Sequence, residues 1–107
     1  PVRVGGAGVW ASATAGFVHT CGITTAKNLY CWGGNEDAQV GDGTTVHPHQ
    51  AMARVGGAGV WAGATGGAYH TCGITTAKNL YCWGYNGFGQ VGDGDIETPR
   101  KTLFRVL

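Results

Sequence analysis

Residues 4–54 return as residues 55–105. Displacing the chain by 51 positions leaves 34 of 51 residues unchanged, and residues 19–33 and 70–84 share the same run, HTCGITTAKNLYCWG. The run VGGAGVWA also recurs, at 4–11 and 55–62. A repeat of this kind constrains the fold more than any single residue does. Each copy is one supersecondary unit, and stacked copies bury a shared core. The copies differ mainly at 34–39 (GNEDAQ against YNGFGQ at 85–90) and at 44–53 (TTVHPHQAMA against DIETPRKTLF at 95–104). A common scaffold with changeable connecting loops accounts for that distribution. The repeat divides the chain into units 1–54 and 55–107.

Within a unit the pattern is that of short strands. The spacing predicts strands over 10–15, 17–24 and 29–32, and a weaker one over 50–55 that is matched by 102–107. A short hairpin loop, Thr25-Ala26-Lys27-Asn28, joins the second and third strands, with Asn28 expected to close the turn at positive φ. Gly41-Asp42-Gly43 and Pro48 read as loop. No apolar stripe of helical period stands out and no capping pattern frames one. The fold class is therefore all-β, with four short strands in each unit.

The cysteines fit that register. Cys21 and Cys31 are symmetric about Ala26, as are Ile23 and Leu29, so each pair faces across the hairpin. Cys72 and Cys82 repeat the relation about Ala77. Two disulfides, Cys21–Cys31 and Cys72–Cys82, are the expected pairing among the three that four cysteines allow. Free buried thiols are one alternative. A zinc site using His19, Cys21 and Cys31 is another, although it lacks a C-x-x-C knuckle. Disulfides imply an oxidising compartment, hence a secreted or extracytoplasmic protein.

Composition removes several function classes. Seven Lys and Arg against six Asp and Glu give a net charge of +1. That balance provides no basic stripe for nucleic acid and no polybasic membrane signal. No apolar run approaches the roughly 20 residues of a membrane helix. Hydrophobic residues make up 43%, with four Trp and four Tyr to bury, so a disordered chain is not expected.

Three spaced motifs point further. A-G-x-x-H-T-C-x-[IL]-T stands at 15–24, L-Y-C-W-G-x-N at 29–35 and Q-V-G-D-G at 39–43. They recur, with Gly66 for the first Ala and with Gly89 in front of the third run, at 66–75, 80–86 and 89–94. In this order, twice, they resemble the regulator of chromosome condensation repeat, and the cysteines resemble its bacterial, exported branch. The chain departs from the family at the hairpin turn, where Ala26-Lys27 and Ala77-Lys78 replace the usual Asp-Gly. It departs again at Asp37-Ala38, where the second copy keeps Phe88-Gly89.

The resemblance implies one four-stranded β-propeller blade per repeat. Two blades leave two apolar faces uncovered, whereas propellers close with roughly four to eight. Closure by copies of the same chain is the expected solution, because a head-to-tail contact closes when its rotation divides the circle. Three chains supply six blades and four supply eight; the homotrimer is preferred, the homotetramer next. Residues 1–4 align with 52–55 and 103–106, so end strands are expected to be shared between chains.

Candidate functional residues are few. His19 and His70 lie inside the identical block and read as buried residues bonded to neighbouring backbone, since no third member completes a triad. Trp32 and Trp83 read as packing between blades, with sugar stacking the functional alternative. Asp42 and Asp93 lack the ligand spacing of an EF-hand and read as turn caps. The variable loops are the better ligand candidates: Asn35, Glu36 and Asp37 in the first copy, Tyr85, Asn86 and Phe88 in the second. No metal and no cofactor is expected. The reading is a non-catalytic, self-assembling propeller scaffold or interaction module. The alternatives are a secreted sugar-binding lectin or a protein inhibitor using those loops.

Overall fold

A computed structural model describes residues 4, 5, 8–45, 49–57, 60–86 and 100–106. Eight strands follow in chain order: β1 (Trp10–Ala15), β2 (His19–Thr24), β3 (Leu29–Gly33), β4 (His49–Val55), β5 (Trp61–Gly66), β6 (His70–Thr75), β7 (Leu80–Gly84) and β8 (Arg100–Val106). They form two four-stranded antiparallel sheets, ordered β1-β2-β3-β4 and β5-β6-β7-β8. Each is a meander in which neighbours in sequence are neighbours in space. Both sheets draw their fourth strand from this chain, at 49–55 and 100–106. Residues 1–3, on which the shared-strand expectation partly rests, lie outside the described residues.

The register matches the symmetry argument. Cys21 pairs with Cys31 and Ile23 with Leu29, as Cys72 pairs with Cys82 and Ile74 with Leu80. The paired cysteines have Cα atoms 4.1 Å apart, close to the value for a non-hydrogen-bonded cross-strand pair, and both pairs are joined as disulfides. No described cysteine is free, so these sulfurs hold no zinc.

The turn differs from expectation in one residue. Lys27 and Lys78, not Asn28, take the left-handed conformation, each at φ 68°. Thr24 N–H donates to the Asn28 carbonyl and Lys27 N–H to the Thr24 carbonyl, both at 2.9 Å. That is a three-residue hairpin loop, whose third member must be left-handed to re-enter the ladder. The usual family glycine meets that demand without strain, and lysine does not.

The second strand begins at His19 rather than Phe17, because Gly16 N–H folds back onto the His19 carbonyl at 2.8 Å. A bulge at Ala11, and its counterpart at Ala62, breaks the pairing of β1 with β2 and of β5 with β6. The extra residue raises the local twist.

The core lies between the sheets. β5 packs against β2 and β1. Cys21, Ile23, Leu29, Cys31, Val40 and Val55 from the first repeat meet Trp61 and Trp83 from the second.

Candidate functional site

The seam between the sheets joins buried polar groups of both repeats. Trp83 Nε1–H donates to the Gln39 carbonyl at 2.9 Å, and the Thr71 hydroxyl donates to the same carbonyl at 2.7 Å. Having spent its proton there, Thr71 accepts from His19 Nε2–H at 2.8 Å, which fixes the imidazole tautomer. His19 Nδ1 is then a bare lone pair, buried and without a partner. Burial, then the facing His70, holds the His19 pKa below its usual value; the nearby His70 backbone offsets part of this. Trp61 ties the other end of the seam: its Nε1–H reaches the Val55 carbonyl at 2.8 Å and its backbone N–H the Lys27 carbonyl at 3.0 Å. Gly41, at φ 78°, sits where any Cβ would press on Trp83 Nε1.

The repeat makes this seam asymmetric at its outer sides. Cys21, Ile23, Leu29 and Cys31 are buried under the second sheet, while their equivalents Cys72, Ile74 and Leu80 are partly or largely exposed. Conversely Trp61 and Trp83 are buried, while Trp10 and Trp32 are only half-buried. The molecule therefore shows both halves of its own internal interface, one at each end.

The variable loop is held from within. Asn35 is buried; its Oδ1 accepts from Val40 N–H at 3.0 Å and its amide donates to the Thr44 carbonyl at 3.2 Å. Gln39 Oε1 accepts from Asp37 N–H at 2.9 Å, and Ala38 turns left-handed at φ 61°. Asp42 caps its own turn through the Thr44 hydroxyl and N–H, at 2.7 and 2.9 Å. Glu36 is exposed, and burial followed by Glu36 raises the Asp37 carboxyl above its usual value. Asn86 is buried like Asn35, and Phe88 lies outside the described residues.

Near the start of β2 and β6 the structure joins the candidate Tyr85 to two aromatic residues that sequence reading missed, Phe17 and Tyr69. Phe17 meets Tyr69 edge to face at 5.8 Å, and Tyr69 meets Tyr85 at 6.5 Å. Phe17 is 74% exposed and Tyr69 39%. Positions 17, 18 and 34 all differ from their repeat partners 68, 69 and 85, and that difference was the available signal. At the opposite end each sheet has a shallow, mostly apolar cleft beside its β-turn. One of about 390 Å³ is lined by Trp61, Thr76, Asn79 and Tyr81, and one of about 350 Å³ by Trp10, Thr25, Asn28 and Tyr30. Among the described residues no cluster of three or more His, Cys, Asp or Glu is placed to hold a metal.

The profile of the "Regulator of chromosome condensation (RCC1) repeat" matches residues 10–39 and 64–90. The chain belongs to the RCC1 repeat family. It is 34% identical over 84 residues to the X-linked retinitis pigmentosa GTPase regulator homolog of Caenorhabditis elegans, covering 76% of this chain and 6% of that protein. It is 34% identical over 83 residues to the ultraviolet-B receptor UVR8 of Arabidopsis thaliana, covering 75% of this chain and 18% of the receptor. Yeast RCC1 (Prp20), solved with Kap60 bound, superposes on 99% of the chain at a TM-score of 0.78 and 19% identity. Human WBSCR16 superposes on 98% at 0.80 and 19%. The chain spans 26% and 27% of those two solved chains. Each four-stranded sheet is thus an RCC1-like propeller blade, and the seam is a blade-to-blade contact. The RCC1-like propeller fold suggests an interaction module, and the two disulfides are compatible with an extracellular setting.

Proposed function

We propose that the chain is a non-catalytic interaction scaffold whose two-bladed unit assembles head to tail with its own copies into a closed propeller. A six-bladed homotrimer is the first choice and an eight-bladed homotetramer the second. One observation carries the reading: the exposed Ile74 face and the half-exposed Trp10–Trp32 face are the two halves of the contact that Ile23 and Trp83 make inside the chain. Two complementary faces on opposite ends form a heterologous contact, which closes into a ring or runs on into a fibre. Propellers avoid the second outcome by closing.

Partner binding is assigned to the loop end, where Phe17, Tyr69 and Tyr85 stand beside the Asn35–Glu36–Asp37 loop. Exposed, rigid aromatic rings are the commonest anchors of protein interfaces, and a ring of copies would present them several times around an axis. A protein partner fits this surface. Prp20, similar in fold, was solved bound to Kap60 and characterised for binding Gsp1p and histones. A glycan is the second reading, favoured only by the aromatic chain itself.

Mixing two lesions tests the assembly. Ile74→Asp spoils the second-blade face and Trp32→Asp the first-blade face. Each variant alone should be monomeric, and the mixture should give a one-to-one heterodimer through the pair of intact faces. Two monomers that never combine would overturn the proposal.

A further inference from the structure

The identical block repeats, at the outer sides of the two blades, three of the donors that cross the seam. His70, Thr20 and Trp32 are the repeat equivalents of His19, Thr71 and Trp83. Inside the chain, His19 of the first blade meets Thr71 of the second at 2.8 Å and is buried. At the outer side of the second blade His70 has the same ring position but is only half-buried. The glycine three residues before each histidine, Gly16 or Gly67, leaves no room for a Cβ beside the ring, so both rings are seated alike.

We propose that His70 is a proton-sensitive latch between successive copies of this chain, its Nε2–H donating to the Thr20 hydroxyl of the next copy. This rests on the self-assembly reading above and adds its regulation. Seating His70 as His19 is seated buries the ring with one nitrogen bonded and Nδ1 left without an acceptor. A neutral imidazole tolerates that; an imidazolium brings a second N–H and a charge into the seam and does not. Burial already lowers the His70 pKa at the uncovered face, and closure deepens it.

Among the described residues, no carboxylate lies on β5 to β8, the strands around His70. β5 and β7 carry no ionisable group apart from Tyr81 and the disulfide-bonded Cys82. On β8, Arg100 pairs with Gly84, which itself pairs with His70, and Lys101 and Arg105 follow on the same strand. His19 faces His70 from the first blade, and His19 of the next copy would face it from the other side. The loop that supplies Gln39 carries Glu36, Asp37 and Asp42; in the second repeat Gly87 and Phe88 stand at the first two places, Asp93 at the third, and Asp95 and Glu97 follow.

The sign follows from linkage. A histidine whose pKa falls on assembly leaves association at full strength above its pKa in the unassembled chain, which for His70 already lies below the ordinary histidine value, and weakens it as pH drops below that point. Between pH 7.5 and 5.0 each contact should lose affinity, by less than the about 30-fold that a histidine with an unshifted free-state pKa would give.

Light scattering over a concentration series, on the full oxidised chain, tests this at both pH values. The wild type should be assembled at pH 7.5 and dissociate at pH 5.0, whereas His70→Gln, which keeps a neutral donor, should hold its mass at both. Thr20→Val should weaken assembly at pH 7.5. Should His70→Gln itself assemble poorly, the His70 resonance titrated by NMR decides: its pKa must fall as concentration drives assembly. Assembly that is insensitive to pH, or that stays acid-labile in His70→Gln, overturns the latch alone. A chain monomeric at pH 7.5 overturns the self-assembly reading beneath it.

Discussion

Ile23 and Ile74 occupy the same place in two identical hairpins, yet Ile23 is 2% exposed and Ile74 48%. Ile23 lies under the second blade and Ile74 lies under nothing. The same mutation should therefore read differently at the two sites. Ile23→Asp buries a charge in the seam and should cost about 3 kcal/mol or more, seen as a lowered unfolding midpoint. Ile74→Asp should leave the unfolding of the isolated chain within about 0.5 kcal/mol and abolish only assembly.

Trp83 and Trp32 give the mirror-image comparison. Trp83→Phe removes the indole donor from the Gln39 carbonyl and opens a gap under Gly41, for an expected loss of about 2 kcal/mol in chemical denaturation. Trp32→Phe, on the uncovered face, should cost less than half of that under dilute conditions.

The two disulfides should not be reduced together. Cys21 and Cys31 are sealed in the seam, whereas Cys72 is partly exposed. Mild reductant with alkylation and mass mapping should label Cys72 and Cys82 first. Each ten-residue loop contributes about 2.5 kcal/mol by restricting the unfolded chain. A concentration at which Cys72 becomes protected would mark assembly covering that face.

Lys27 and Lys78 hold left-handed conformations that glycine adopts without penalty. Lys27→Gly and Lys78→Gly should each stabilise the fold by about 0.5–1 kcal/mol, and their effects should add because the turns lie on separate blades. Thermal unfolding of the single and double variants checks this.

The strands and their register were legible because two local rules sufficed. Short runs between turn signals marked the strands, and symmetry about Ala26 set Cys21 opposite Cys31. The left-handed residue was misplaced at Asn28 because side-chain tolerance was weighed and loop length was not. A three-residue loop makes the demand at Lys27 whatever the side chain. The direction of stacking was not legible at all. Residues 19–33 and 70–84 are identical, so nothing local distinguishes the buried His19 from the half-buried His70. Only the neighbour on one side does. The Phe17–Tyr69–Tyr85 chain was hidden for a related reason: its rings come from both repeats and meet only once the blades are stacked.

The most direct test of the account is the mass of the oxidised chain in solution at neutral pH by light scattering. The account predicts three times 11.0 kDa, a closed ring of six blades in which Trp32 and Ile74 are covered by neighbouring copies. A mass of 11.0 kDa at every concentration, with the Ile74 face open to solvent, would contradict it.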